Sequence, residues 1–309
     1  MGMLGKRSLK WGGFILFVLF FIAIGCSEKE KEVVQAFITP DITLSDTELP
    51  IGSPLEMSYK WMIDAQMPPL QKDYTVFVHF LDQEGDLVFT DDHAPPLPTS
   101  QWKPGEQVEY VRTPFIPYSP IVGELKVKVG IYHIESGTRL TLVGKDEGKD
   151  KAYLVGKVKL LPEDLKGLPV YKDGWYDLEV ASDDTLLKEW IWSQKDAEVS
   201  FVNPRRDATL YLHAYSPVDY LGSPQQIALY LNDQPLESWQ CTSSEDFLRK
   251  ITIKKERLGQ ENWIDIRIEV DKVFIPVEHI EGSEDTREFG VKVYNLLLKP
   301  ASATPAAKR

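Results

Sequence analysis

The stretch Glu124–Tyr132 reads ELKVKVGIY. Leu125, Val127, Val129 and Ile131 recur at every second position, with Lys126 and Lys128 between them. Successive side chains of a strand point to opposite faces, so four apolar residues face a core and the two lysines face water. The same period of two recurs along the chain. It predicts strands over LEMSYKWM (Leu55–Met62), YTVFVHFL (Tyr74–Leu81) and QVEYVRTPF (Gln107–Phe115). YTVFVHFL is apolar on both faces, which predicts a central strand, and Gly85 in the following DQEGD suits a hairpin turn.

Beyond a stretch rich in proline, glycine and charge, LPEDLKGLPVYKDG (Leu161–Gly174), the pattern resumes. Strands are expected at EWIWS, AEVSFV, ATLYLHAY, QIALYL, WIDIRIEV and FGVKVYNLLL, with a turn at the LND before Gln234. Only KKERLGQ (Lys254–Gln260) reads as helical. The fold class is therefore all-β: two consecutive antiparallel β-sandwiches, immunoglobulin-like or jelly-roll-like, over residues 35–162 and 175–300. Residues 163–174 form the linker between them, and 301–309 form a disordered tail.

The amino terminus carries a different message. Lys6, Arg7 and Lys10 precede the apolar run Phe14–Ile24. Eleven helical residues rise about 17 Å, well short of a hydrocarbon core of roughly 30 Å. A basic flank before a short apolar core is the pattern of a secretory signal peptide, here residues 1–25. The run ends in Ala23-Ile24-Gly25-Cys26, which resembles the lipobox of bacterial lipoproteins, with Ala23 where leucine is commoner. That resemblance implies a lipid on Cys26 and a membrane anchor, with residues 26–34, rich in Glu and Lys, as a tether. Ser27 stands where enteric bacteria place aspartate to retain lipoproteins in the inner membrane, so by analogy the outer membrane is expected. With Cys26 lipidated, only Cys241 remains, and it is expected to be a buried strand residue.

A net charge of −12, with both signs interspersed, argues against nucleic-acid binding and against adhesion to anionic lipid. Attachment to the membrane should come from the lipid alone.

Three groups of side chains are candidates for a site. Asp91, Asp92 and His93 stand together before a proline-rich turn. Adjacent residues on an extended chain diverge, zinc needs three or four ligands, and no DxDxDG pattern is present for calcium. The cluster therefore reads as a tied turn, with a metal site the rival reading. Trp102 precedes a Lys-Pro-Gly turn and reads as a plug, with an exposed stacking platform as the rival. Tyr211, His213 and Tyr215 alternate with Leu210, Leu212 and Ala214, and Tyr230 alternates likewise with Ile227, Leu229 and Leu231. If the two strands are neighbours, they present one aromatic face suited to sugar rings, or one that packs against the other domain. Trp190 and Trp192 read as core. No GxSxG, Walker loop, GxGxxG or HExxH occurs, so no catalytic residue or cofactor is expected.

The segments YTVFVHFLDQEGDLVFTDDHAPPLPTSQWKPGEQVEYVRTPFIP and GELKVKVGIYHIESGTRLTL resemble β-sandwich modules appended to bacterial membrane glycosyltransferases. WIWSQKDAEVSFVNPRRDATLYLHAY and DTREFGVKVYNLLL resemble a second module found in similar company. Together the chain resembles a family of two-module bacterial lipoproteins of unknown function. The aromatic outward face together with the glycosyltransferase company that the resemblance implies leads to the expectation of a non-enzymatic envelope protein that binds glycan or supports polysaccharide handling. A protein–protein scaffold in an envelope complex is the alternative, and a metal-dependent hydrolase ranks last.

Overall fold

The computed structural model describes residues 36–118, 122–144, 150–181 and 189–301. The expected signal peptide, Cys26, the tether and the tail after Ala301 lie outside the described residues. From Ala36 onward the chain is one compact unit holding two separate large apolar cores.

The first core is closed by β1 (Ile38–Leu44), β2 (Glu48–Pro50), β3 (Met57–Ile63), β4 (Thr75–Leu81), β5 (Leu87–Thr90), β6 (Gln107–Arg112), β7 (Gly123–Tyr132) and β8 (Tyr153–Leu161). They form a three-stranded sheet, β1-β3-β6, and a five-stranded sheet, β2-β8-β7-β4-β5. Alternate residues of each sheet meet between them, as period-two burial demands. Leu125, Val127, Val129 and Ile131 are all buried, as their spacing predicts. The strand β4 is paired on both sides, by β7 and β5. Its outward Phe77 is nonetheless buried: Gly130 gives it room, and Arg139 lies 4.3 Å from the ring centroid. One pairing departs from the antiparallel expectation, since β2 runs parallel to β8.

The second core is closed by β9 (Val170–Tyr171), β10 (Glu179–Val180), β11 (Glu189–Trp192), β12 (Asp196–Val202), β13 (Ala208–Tyr215), β14 (Gln225–Leu231), β15 (Gln234–Cys241), β16 (Asp246–Ile253), β17 (Trp263–Val270) and β18 (Lys292–Pro300). The sheets are β10-β11-β18-β13-β16 and β15-β14-β17-β12-β9. The β14–β15 hairpin turns on Asn232 and Asp233, both at positive φ, as the LND signal anticipates. A single helical turn, Lys255–Leu258, forms within KKERLGQ.

The segment read as a linker has structure of its own. Gly167 lies against the Leu298 carbonyl, and Val170–Tyr171 pairs with β12 as an edge strand of the second sandwich. Cys241 is buried at the end of β15 as expected, and its apolar surroundings push the thiol pKa up.

Candidate functional site

The Asp91-Asp92-His93 cluster leaves β5 and crosses back beside β4. His93 and Val76 exchange two backbone hydrogen bonds of 2.9 Å, which aims the imidazole into the first core. There Nδ1 donates to the Asp91 carbonyl at 2.9 Å, and Nε2 accepts from the Tyr110 hydroxyl at 2.9 Å. This tautomer leaves Tyr110 free to accept the Trp61 indole N–H at 3.3 Å. Burial holds the His93 pKa at about 4, so the ring is neutral at pH 7. Burial likewise drives the Tyr59 and Tyr110 hydroxyls well above their usual range.

The two carboxylates diverge, as adjacent strand residues must. Asp91 takes a forked pair of hydrogen bonds from Arg112, Nε to Oδ2 at 2.9 Å and an η nitrogen to Oδ1 at 2.7 Å. That fork holds the Arg112 pKa above its ordinary value. Asp92 points the other way and accepts from the Val78 amide and the Tyr132 hydroxyl, both at 3.4 Å. The three side chains therefore do not converge, and among the described residues no group of three or more His, Cys, Asp or Glu is placed to hold a metal.

Trp102 settles between its two readings. It is 2% exposed, donates its indole N–H to the Leu97 carbonyl at 2.9 Å, and lies 5.8 Å from the Trp61 ring. It is a plug rather than a platform. The turn after it is closed by the Glu106 amide on the Lys103 carbonyl, with Gly105 at φ +81°.

The tyrosine and histidine row divides differently from the single face considered above. The strands β13 and β14 are not neighbours; they lie in opposite sheets of the second sandwich. Tyr230 is therefore on the far side, under Arg267 at 4.0 Å. Tyr211, His213 and Tyr215 share the outer face of their own sheet, and the first sandwich covers part of it. Phe115 stacks on His213 at 6.2 Å and 12°, and meets Tyr211 edge-on at 6.3 Å. His213 also hydrogen-bonds Asn295 at 3.2 Å. Tyr215 lies further along, where Trp190, Trp192 and Tyr215 surround the Lys292 ammonium at 4.7, 5.1 and 5.2 Å. Burial lowers the Lys292 pKa in that cage.

What the tertiary structure brings together is Asp91 and His213. Both line a cleft of about 670 Å³ between the two sandwiches. Asp91, Arg112, Thr113 and Phe115 come from the first sandwich, and His213, Asp246, Phe247, Lys250 and Asn295 from the second. Lys250 reaches across to Glu56 at 2.6 Å, and Lys299 reaches Asp46 at 2.8 Å, so ion pairs tie the two sandwiches beside the cleft. Its lining carries two cationic side chains, Arg112 and Lys250, and two anionic ones, Asp91 and Asp246. Aromatic residues and hydrogen-bonding groups both line the cleft, the composition of a site for a ligand with both apolar and polar faces. Sequence reasoning did not single out Arg112, Phe115, Lys250 or Asn295. Each is an ordinary residue in its own strand, and only the apposition of the sandwiches groups them.

No protein-family model matches the sequence, and no curated protein is similar to it. Several solved structures share parts of the arrangement at low identity. The alkylpurine DNA glycosylase AlkC of Pseudomonas fluorescens matches with a TM-score of 0.27 and 14% identity, over 40% of this chain and 30% of that one. A family 35 carbohydrate-binding module of Clostridium thermocellum matches with a TM-score of 0.27 and 11% identity, over 43% of this chain and 98% of the module. A tandem of two CBM22 domains from Paenibacillus barcinonensis matches with a TM-score of 0.24 and 12% identity, over 86% of this chain and 91% of the tandem. The chain thus spans less than a third of the glycosylase it matches. At TM-scores of this size none of these likenesses bears on function.

Proposed function

We propose that this protein is a non-enzymatic glycan-binding protein of the cell envelope, lipid-anchored through Cys26, that holds its ligand in the cleft between the two sandwiches. The observation that carries this reading is the mixed lining of that cleft, drawn from both domains. Phe115, His213 and Phe247 offer apolar ring surface, while Arg112, Asn295, Asp246 and Lys250 offer donors and acceptors. A pyranose presents C–H faces and hydroxyl rims in the same combination. The balanced charge of the lining favours a neutral sugar over a polyanion. A hydrolytic role has little to work with at the Asp91 cluster, because the Asp91 carboxylate is already forked by Arg112 and His93 is turned into the core.

Two experiments test the two halves of the reading. The full chain in non-ionic detergent is applied to a broad glycan array, beside Phe247→Ala and Tyr230→Ala variants. Binding that Phe247→Ala loses and Tyr230→Ala keeps places the ligand in the cleft. Loss with Tyr230→Ala alone moves it to the opposite sheet, and no binding to any glycan overturns the proposal. Separately, Cys26→Ala should move the protein from the membrane to the soluble fraction, and unchanged partition would refute the lipid anchor.

A further inference from the structure

Phe115 and Asn295 also border a second, smaller pocket of about 220 Å³, and its chemistry differs from that of the cleft. Four aromatic side chains line it: Phe115 and Tyr118 from the first sandwich, Tyr171 from the edge strand β9, and Tyr294 from β18. Among the described residues that line it there is no lysine or arginine. Tyr118 is 58% exposed, with its ring on Gly52, where a Cβ would fall 2.8 Å from the ring atoms. Glycine at φ +80° there lets the ring lie on the backbone. Tyr171 is 40% exposed, and burial followed by the nearby Tyr118 raises its pKa to about 12. Burial raises the Tyr118 pKa as well, with Glu163 and Glu189 adding to it, so two carboxylates lie within electrostatic reach of this ring.

Aromatic faces carry negative charge density and attract cations, most strongly where water is partly excluded. Neighbouring carboxylates and a net charge of −12 act in the same direction. The same sheet face already solves this problem once, with Lys292 held among Trp190, Trp192 and Tyr215. A volume below the roughly 300–1,000 Å³ of drug-sized sites suits a head group rather than an oligosaccharide. We propose that the pocket formed by Phe115, Tyr118, Tyr171 and Tyr294 binds a methylated ammonium group, as carried by a choline-type ligand. This is a second site, independent of the glycan reading of the cleft.

The test is a calorimetric and NMR titration of the full chain in non-ionic detergent with choline. Neohexanol, which replaces the ammonium by an uncharged carbon of the same shape, and ethanolamine, a primary ammonium on the same skeleton, are the comparison probes. Choline should bind saturably and weaken with added salt, with neohexanol at least about tenfold weaker. Tyr118→Ala and Tyr171→Ala should each cost about tenfold, while Tyr118→Phe, which keeps the ring, should bind as the parent does. Glu163→Gln together with Glu189→Gln should weaken binding several-fold and flatten its salt dependence. Tyr230→Ala, on the opposite sheet under Arg267, should leave choline binding unchanged. Equal affinity for choline and neohexanol would show an apolar pocket with no preference for charge, and tighter ethanolamine than choline would reject the methylated group. Absence of saturable choline binding would overturn the proposal outright, whatever the glycan array reports.

Discussion

Acidification should destabilise the first sandwich through His93, and the size of the effect follows from its surroundings. The imidazole is neutral in the fold because burial opposes its charge and Arg112 adds to that opposition. The Asp91 side chain and carbonyl pull the other way without prevailing, and the hydroxyl of Tyr110 donates to Nε2, the atom that would be protonated. Folded His93 titrates near pH 4, against 6.5 for a free histidine. Between those values the unfolded chain binds the extra proton and the folded chain does not, so stability is complete above pH 6.5 and falls as the pH drops toward about 4. At about 1.4 kcal/mol per pH unit, the loss is about 2 kcal/mol by pH 5 and approaches about 3 kcal/mol at full titration. Urea unfolding of the parent and of His93→Gln, measured from about pH 7.5 to about pH 4.5, isolates this contribution. The variant should be less stable at neutral pH, since it loses a hydrogen-bonded ring, yet its stability should fall less steeply with acid. Parallel pH profiles for the two proteins would refute the assignment of a neutral, buried His93.

The plug predicts a local failure: Trp102→Ala should cost about 3–5 kcal/mol and leave the Leu97 carbonyl without its donor. Calorimetry should show the first sandwich melting earlier, and a shift of less than a degree would mean that Trp102 does not pin its loop. Gly174→Ala should destabilise by more than about 1 kcal/mol, because φ is +86° there and the added Cβ runs into the Asp196–Ala197 backbone; an unchanged melting temperature would contradict that packing. The interdomain ion pair is a contrasting case. Glu56→Ala should change stability by no more than about 1 kcal/mol, because both partners are partly exposed, and a larger loss would show a coupled network. Finally, the Cys241 thiol should react with a thiol-labelling reagent only slowly in the native protein and at once in urea; rapid native labelling would contradict its burial.

Much of the fold was legible because burial on one face of a sheet imposes a period of two on the chain. Ala208–Tyr215 and Trp263–Val270 form strands whose limits coincide with the alternating segments. Other strands were missed where that period is broken. The strand β8, YLVGKVKLL, interrupts its alternation at a bulge opposite Val127–Lys128, and β9 lies inside a segment whose composition reads as a linker. The divergence of Asp91 and Asp92 and the plugging role of Trp102 were also within reach, since both follow from local geometry.

The all-β class, the succession of two sandwiches and the facing of the strands that alternate cleanly can be read from the chain, because these are set by neighbours a few residues apart. Which strands share a sheet cannot; the tertiary structure decided that. It separated Tyr230 from Tyr211 by assigning β14 and β13 to opposite layers, although they are consecutive in the chain. It also set Phe115 against His213 and brought Asp91 into the same cleft as Lys250 and Asn295. Those contacts join residues far apart in the chain, and their partners are chosen by how two cores close and how their surfaces meet, a choice that no local pattern records.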